Sequence, residues 1–129
     1  MEEFAIPEGI VHKKELTVTQ QDTAIVYGSG LLPVFATPAM IAFMENVSHE
    51  NVAPYLPSSL TTVGTEINIE HKKASAIGQK LTCKSVLTKV NNRQLCFHVE
   101  VSDGVNIVGS GTHTRFVVDK EKFMAKVTR

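Results

Sequence analysis

The sequence has no surplus charge, almost no cysteine and no long apolar run, and each shortage removes a class of function. Thirteen Lys and Arg balance thirteen Asp and Glu. No bulk basic field is therefore present to hold nucleic acid or an anionic membrane surface, and neither partner is expected. No stretch approaches the ~20 continuous apolar residues that a membrane span needs. The opening MEEFAIPEGI begins with acids and lacks basic and apolar regions, so no secretory signal is read there. Internal repeats and low-complexity tracts are missing too. The histidines have no HxxxH or HExxH spacing, so no metal site is expected, nor any cofactor. GSG is followed by no Lys-Ser/Thr and opens no helix, which excludes a phosphate loop. The only cysteines are Cys83 and Cys96. They suggest no bridge, zinc site or redox pair, and a reduced cytoplasmic setting is the expectation.

What remains is enough for one core. The 129 residues fit a single domain, residues 1–129. Glu15 to Thr19 alternates as a short strand. Gln20 to Pro33 is a polar connector with room for a turn of helix. The clearest helix is TPAMIAFMENVSHENVAPYL. Thr37 is expected as its N-cap, Pro38 fits the first helical position, and Pro54 marks the stop. From Pro38 to Met44 no residue is polar, which predicts a helix buried all round over these two turns.

Everything after about Leu60 reads as strand. Thr65, Ile67, Ile69 and His71 share one face of the first strand. A second runs from Lys80 to Val90 and a third from Leu95 to Ser102. Asp103-Gly104 signals a two-residue hairpin into a fourth strand, Val105 to about Val118. A three-residue loop at Asn91–Arg93 sets Leu81, Cys83, Ser85 and Leu87 opposite Val101, Val99, Phe97 and Leu95. Neither this loop nor a two-residue one brings the cysteines within the ~7 Å Cα separation of a disulfide. Residues 119–129 read as a charged helical turn or tail. One buried helix followed by antiparallel strands is an α+β layout, with the helix filling the apolar face of the sheet. Open sheet edges then favour pairing between copies.

Three residues stand out chemically. Thr37 starts the helix, where free N–H groups and the positive dipole end would stabilise an oxyanion. Its hydroxyl needs a neighbouring base to act as nucleophile. Glu45 follows the apolar run. It is either a costly buried carboxylate suited to general-base work or the start of the helix's wet half. His71 ends a strand on its core-facing side, where a histidine is more often structural than catalytic. His113 reads as structural or exposed, His12, His49 and His98 as surface or structural, and Gly109 and Gly111 as sites of close backbone approach or a bend.

The strings VFATPAMIAFMEN, APYL, VGTEINIEHKKAS, DGVNIVGSGTHTRF and EKFMAKV occur in order over about Leu32 to Val127. Together they resemble the fluoroacetyl-CoA thioesterase-like branch of the hotdog superfamily. The resemblance implies a hotdog fold, a sheet of about five strands around one long helix. It also implies hydrolysis of a small acyl-CoA thioester by Thr37, Glu45 and His71. Gly64 is expected near the substrate, as are Leu31 and Pro38. The segment before VFAT reads YGSGLLP, small and aliphatic residues where pocket size is set, so fluoroacetyl specificity is not carried over. Lys72, Lys73 or Arg93 are the candidates for touching CoA phosphates.

Thr37 and Glu45 are eight residues apart, roughly 12 Å along one helix. The expected site therefore takes Thr37 from one subunit and Glu45 from its partner. A homodimer is the expected assembly, with a dimer of dimers as the next order. Competing functions are a hydratase or dehydratase on acyl-CoA or acyl-carrier protein, and a non-catalytic acyl-CoA-binding module.

Overall fold

The computed structural model describes residues 1–129. Strand β1 (Val11–Thr17) leads through a 3-10 turn (Gln20–Asp22) to the short helix α1 (Ala24–Tyr27). The long helix α2 spans Thr37–Val52 and runs into a second 3-10 turn, Ala53–Tyr55. Four strands follow: β2 (Leu60–His71), β3 (Lys80–Asn91), β4 (Gln94–Ser102) and β5 (Ile107–Asp119). Helix α3 (Lys120–Val127) closes the chain, capped by Asp119, whose carboxylate accepts from the Lys122 amide at 3.1 Å. The strands form one antiparallel sheet in the order β1-β3-β4-β5-β2, which leaves β1 and β2 at the edges. Helix α2 packs across β3, β1, β4 and β2.

The core lies between α2 and the inner face of the sheet. Met40, Met44 and Val47 meet Leu81, Cys83, Leu87, Leu95, Phe97 and Val99 in one apolar cluster. At the far end of the helix, Ser48 bonds Ser85 at 2.9 Å and the Asn51 amide donates to the Ser85 carbonyl at 3.2 Å. These buried polar groups are satisfied in pairs, as their desolvation requires. Gly109 and Gly111 do provide the close approach expected of them. A Cβ on Gly109 would stand 2.5 Å from the Met40 sulfur and 2.9 Å from the Glu70 carbonyl oxygen.

Several expectations need correction. Helix α2 is not covered all round: Ala42 is exposed, and Pro38, Ile41 and Glu45 are only half-buried. These residues recur at helical spacing and form one stripe that the chain covers only in part. Thr37 is not the N-cap. That position belongs to Ala36, and no side chain caps the helix. The Asp103-Gly104 hairpin has a four-residue loop, since Ser102 pairs with Ile107. The Asp103 carboxylate accepts the Val105 and Asn106 amides at 2.9 and 2.7 Å, replacing the hydrogen bonds of a tighter turn.

Two β-bulges account for the remaining differences. The β3–β4 turn has two residues, Asn92 and Arg93, with Asn92 at φ +56°. A bulge at Thr88 then shifts the register, so Leu87 faces Phe97, Ser85 faces Val99 and Cys83 faces Val101. Each partner differs by two positions from the expected one, and a two-residue slip keeps the same faces. Cys83 points into the core and Cys96 to the outer face, both as free thiols. In β2 the register breaks between Gly64 and Glu66. Leu60 and Thr62 point inward before the break, and Ile67, Ile69 and His71 after it. Thr65 is therefore the bulged, exposed residue rather than a member of the inner face.

Gly109→Ala should lower stability by about 1–3 kcal/mol, because the Glu70 carbonyl belongs to the ladder and cannot move aside cheaply. Urea unfolding monitored by circular dichroism measures it; an unchanged midpoint contradicts the close packing.

Candidate active site

The chain entering α2 is pinned before the helix begins. The Phe35 amide donates to the Ser75 carbonyl at 2.9 Å and the Ala36 amide to the Asp22 carbonyl at 2.8 Å. Ser75 lies four residues beyond His71, so the same pairing carries the start of α2 to the end of β2. The Lys72 and Lys73 amides both donate to the Val108 carbonyl, which fixes that end in turn. Thr37 and His71 meet as a result, with Oγ1 2.8 Å from Nδ1. Because Ala36 holds the cap position, the Thr37 hydroxyl is free for this contact.

His71 is held from several sides. Phe35 packs edge-on against the imidazole, with ring centroids 6.2 Å apart. Nε2 is shielded from solvent and has no hydrogen-bond partner within the chain. Burial lowers the pKa below the ordinary histidine value, against a weaker opposing pull from the Lys73 main chain. A neutral ring whose Nδ1 meets a hydroxyl can take that hydroxyl's proton. The pair lines a cleft of about 400 Å³ together with Phe35, Pro38 and Lys72. The first turn of α2 opens onto it, with the positive end of the helix and no acidic residue to offset it.

Glu45 lies elsewhere. Its Oε2 stands 2.7 Å from the point where a Gly64 Cβ would be, so the carboxylate rests directly over the bare backbone of β2. A smaller pocket of about 210 Å³ opens here, lined by Glu45, Gly64, Ile67 and His113. Beneath it, His113 and Arg115 are buried on the inner face of β5. The Arg115 guanidinium donates to the Thr62 hydroxyl at 2.7 Å and to the Thr62 carbonyl at 3.0 Å.

The predicted residues thus fall into two groups within one chain. Thr37, His71 and Pro38 share the first cleft, and Glu45 and Gly64 share the second pocket. Leu31 lines neither and is 92% exposed, beside the exposed Leu32, Ile25, Val26 and Tyr27. His113 and Arg115 were missed as site residues. Period-two alternation with Val117 could have placed them on the inner face, where an arginine and a histidine are unusual.

The folded-state pKa of His71 lies below the unfolded 6.5. The neutral ring's contribution to stability is then complete above pH 6.5 and is lost as pH falls from there through the lower folded-state value. Imidazole titration by NMR should give a midpoint below 6.5, and the acid limb of kcat/KM should follow it. A midpoint at or above 6.5 contradicts the burial argument.

Comparison with known proteins gives a consistent picture. The sequence model of a family described as fluoroacetyl-CoA-specific thioesterase matches residues 18–121. A fluoroacetyl-CoA thioesterase of Streptantibioticus cattleyicolor is 42% identical over 94 residues, covering 73% of this chain and 68% of that one. The crystal structure of the fluoroacetyl-CoA thioesterase FlK superposes with a TM-score of 0.89 at 33% identity, covering 95% of this chain and 96% of that one. A variant of FlK in complex with fluoroacetate and CoA gives 0.86 at 32% identity, over 92% and 99%. A hot-dog-like protein from Thermanaerovibrio acidaminovorans shares the fold, at a TM-score of 0.87 and 20% identity over 94% and 90%.

Proposed function

The chain belongs to the fluoroacetyl-CoA-specific thioesterase family and is a hotdog-fold acyl-CoA thioesterase, and on that footing we propose that Thr37, Glu45 and His71 carry the hydrolysis at a site shared between two copies of the chain. The observation that carries this reading is the 2.8 Å contact of the Thr37 hydroxyl with His71, on a helix whose Glu45 reaches instead to Gly64. Thr37 Oγ attacks the thioester carbonyl carbon while its proton passes to His71 Nδ1. The first turn of α2 stabilises the resulting oxyanion. The C–S bond then breaks, CoA leaves as its thiol with the proton held by His71, and the acyl group remains as a Thr37 ester. The partner subunit's Glu45 removes a proton from water, whose oxygen attacks the ester. Release of the free acid returns a proton to Thr37.

The shared site answers a packing problem. The stripe of Pro38, Ile41 and Ala42 lacks cover within one chain, and apolar surface of this kind favours burial. Strand β2 is a sheet edge twelve residues long. A second copy placed edge to edge along β2 covers both, and sets Glu45 of the partner subunit against Thr37. We read residues 1–129 as one domain working in the reducing cytoplasm, on a small acyl group near Gly64, Leu31 and Pro38.

Of the three candidate phosphate contacts, Lys72 is favoured. Lys73 is ion-paired with Asp103, and Arg93 stacks over Phe116, away from the Thr37 cleft. Both lysines line that cleft, and of the two only Lys73 is ion-paired. Lys72→Ala should raise KM for acyl-CoA roughly three- to fivefold with kcat unchanged, the effect of one exposed ion pair. An acyl-pantetheine substrate, which lacks the nucleotide phosphates, should show no change; an equal KM increase there refutes the phosphate contact.

Mixed subunits test the central proposal. Thr37→Ala and Glu45→Gln should each be inactive as purified homodimers. After exchange, a heterodimer of the two retains one intact shared site, so about a quarter of wild-type turnover should return. No recovery from subunits shown to have exchanged contradicts a shared site, and full activity of Thr37→Ala contradicts the role of its hydroxyl.

A further inference from the structure

Buried beneath Glu45, outside the three residues already assigned, is a histidine whose protonation is fixed by its neighbours. His113 is 2% exposed, and its ring stacks on Phe97 at a centroid distance of 6.0 Å. Nδ1 lies 2.7 Å from the carbonyl oxygen of Glu66, the residue that follows the β2 bulge. A carbonyl only accepts, so Nδ1 carries the proton. Nε2 lies 3.2 Å from Arg115 Nη1. A guanidinium only donates, so Nε2 offers its lone pair. The ring is therefore neutral, in the Nδ1-protonated tautomer, and both nitrogens are used.

Arg115 is held at three of its nitrogens, by Thr62 twice and by His113 once, and gives no hydrogen bond to Glu45. Its charge nevertheless bears on that carboxylate. Arg115 Nη1 and Glu45 Oε2 lie 3.4 and 2.7 Å from the same point above Gly64, and His113 Cε1 lies 3.2 Å from it. The two charged atoms are thus no more than about 6 Å apart, close enough to attract one another.

We infer that His113 is a positioning residue for hydrolysis: held in one tautomer by the β2 bulge, it fixes the Arg115 guanidinium, which keeps the Glu45 carboxylate over Gly64. The inference rests on Glu45 acting in the reaction. Protonation would turn Nε2 from acceptor to donor and set one cation against another, releasing Nη1. The charged groups facing the ring are Arg115 from β5 and Glu45 from α2; β2 presents a carbonyl and β4 the Phe97 ring.

Two substitutions separate this role from simple packing. His113→Gln can keep an acceptor near the Nε2 position for Arg115. His113→Asn can keep a donor near the Nδ1 position for Glu66 but cannot reach the guanidinium. With folding verified by circular dichroism, His113→Asn should lower kcat about tenfold with KM within twofold, as expected when a reacting group is mispositioned. His113→Gln should recover most of that kcat. Equal kcat in the two variants, or a loss confined to KM, overturns the inference. Nitrogen-15 NMR of the wild-type imidazole provides a measurement independent of either variant. A neutral ring protonated at Nδ1 near pH 7 is expected; one protonated at Nε2 overturns the inference. Glu45→Gln is the control. If it keeps wild-type turnover, the catalytic role of Glu45 fails and takes this inference with it. If it is inactive while the two His113 variants match, only the role of His113 fails.

Discussion

Contact between the Met40, Met44 and Val47 face of α2 and the inner faces of β3 and β4 orients every other part of the molecule. Each of these side chains contributes roughly 1.5–3 kcal/mol on burial, and together they leave the helix no freedom to rotate. Rotation fixed in this way leaves Pro38, Ile41, Ala42 and Glu45 on the incompletely covered side of the helix. Helix placement also sets the lengthwise position of Thr37, because Met40 seats against Gly109. One packing interaction thereby fixes the direction of one functional residue and the depth of another.

The proposed chemistry is divided along that helix. Its first turn meets His71, and its third lies over Gly64 and the His113–Arg115 pair. Each half holds something the other lacks. The first has a hydroxyl beside an imidazole and the positive end of a helix; the second has a carboxylate near a buried guanidinium.

Much of this was legible in the sequence, and the gaps have physical causes. The apolar run and Pro38 located α2, and alternation located the strands. Thr37 was misread because a threonine before Pro resembles a cap, whereas the bond to His71 depends on Phe35 pairing with Ser75, a contact of long sequence separation. The bulges at Thr65 and Thr88 are invisible to period-two reasoning, which counts residues and has no signal for one left unpaired. Partial exposure of α2 escaped notice because an incompletely covered apolar stripe has the same composition as a core. His113 and Arg115 were overlooked for a related reason. Polar residues on an inner face look like strand irregularity until their partners on β2 are known.

The bulge at Thr65 also bears on how this protein can change over time. It alone lets Leu60 and Thr62 face the core on one side of it and His71 on the other. The working face of β2 is thus encoded by the number of residues in the strand as much as by their identities. Replacement of the exposed Thr65 leaves that count intact. Gain of one codon elsewhere in β2 does not, since without a second bulge it turns half the strand inside out and removes His71 from Thr37; loss of Thr65 only restores unbroken pairing, Gly64 with Arg115 and Glu66 with Thr114. Side chains at that point of the gene can therefore vary, whereas a single-residue insertion elsewhere in the strand needs a compensating bulge to keep both halves facing the core.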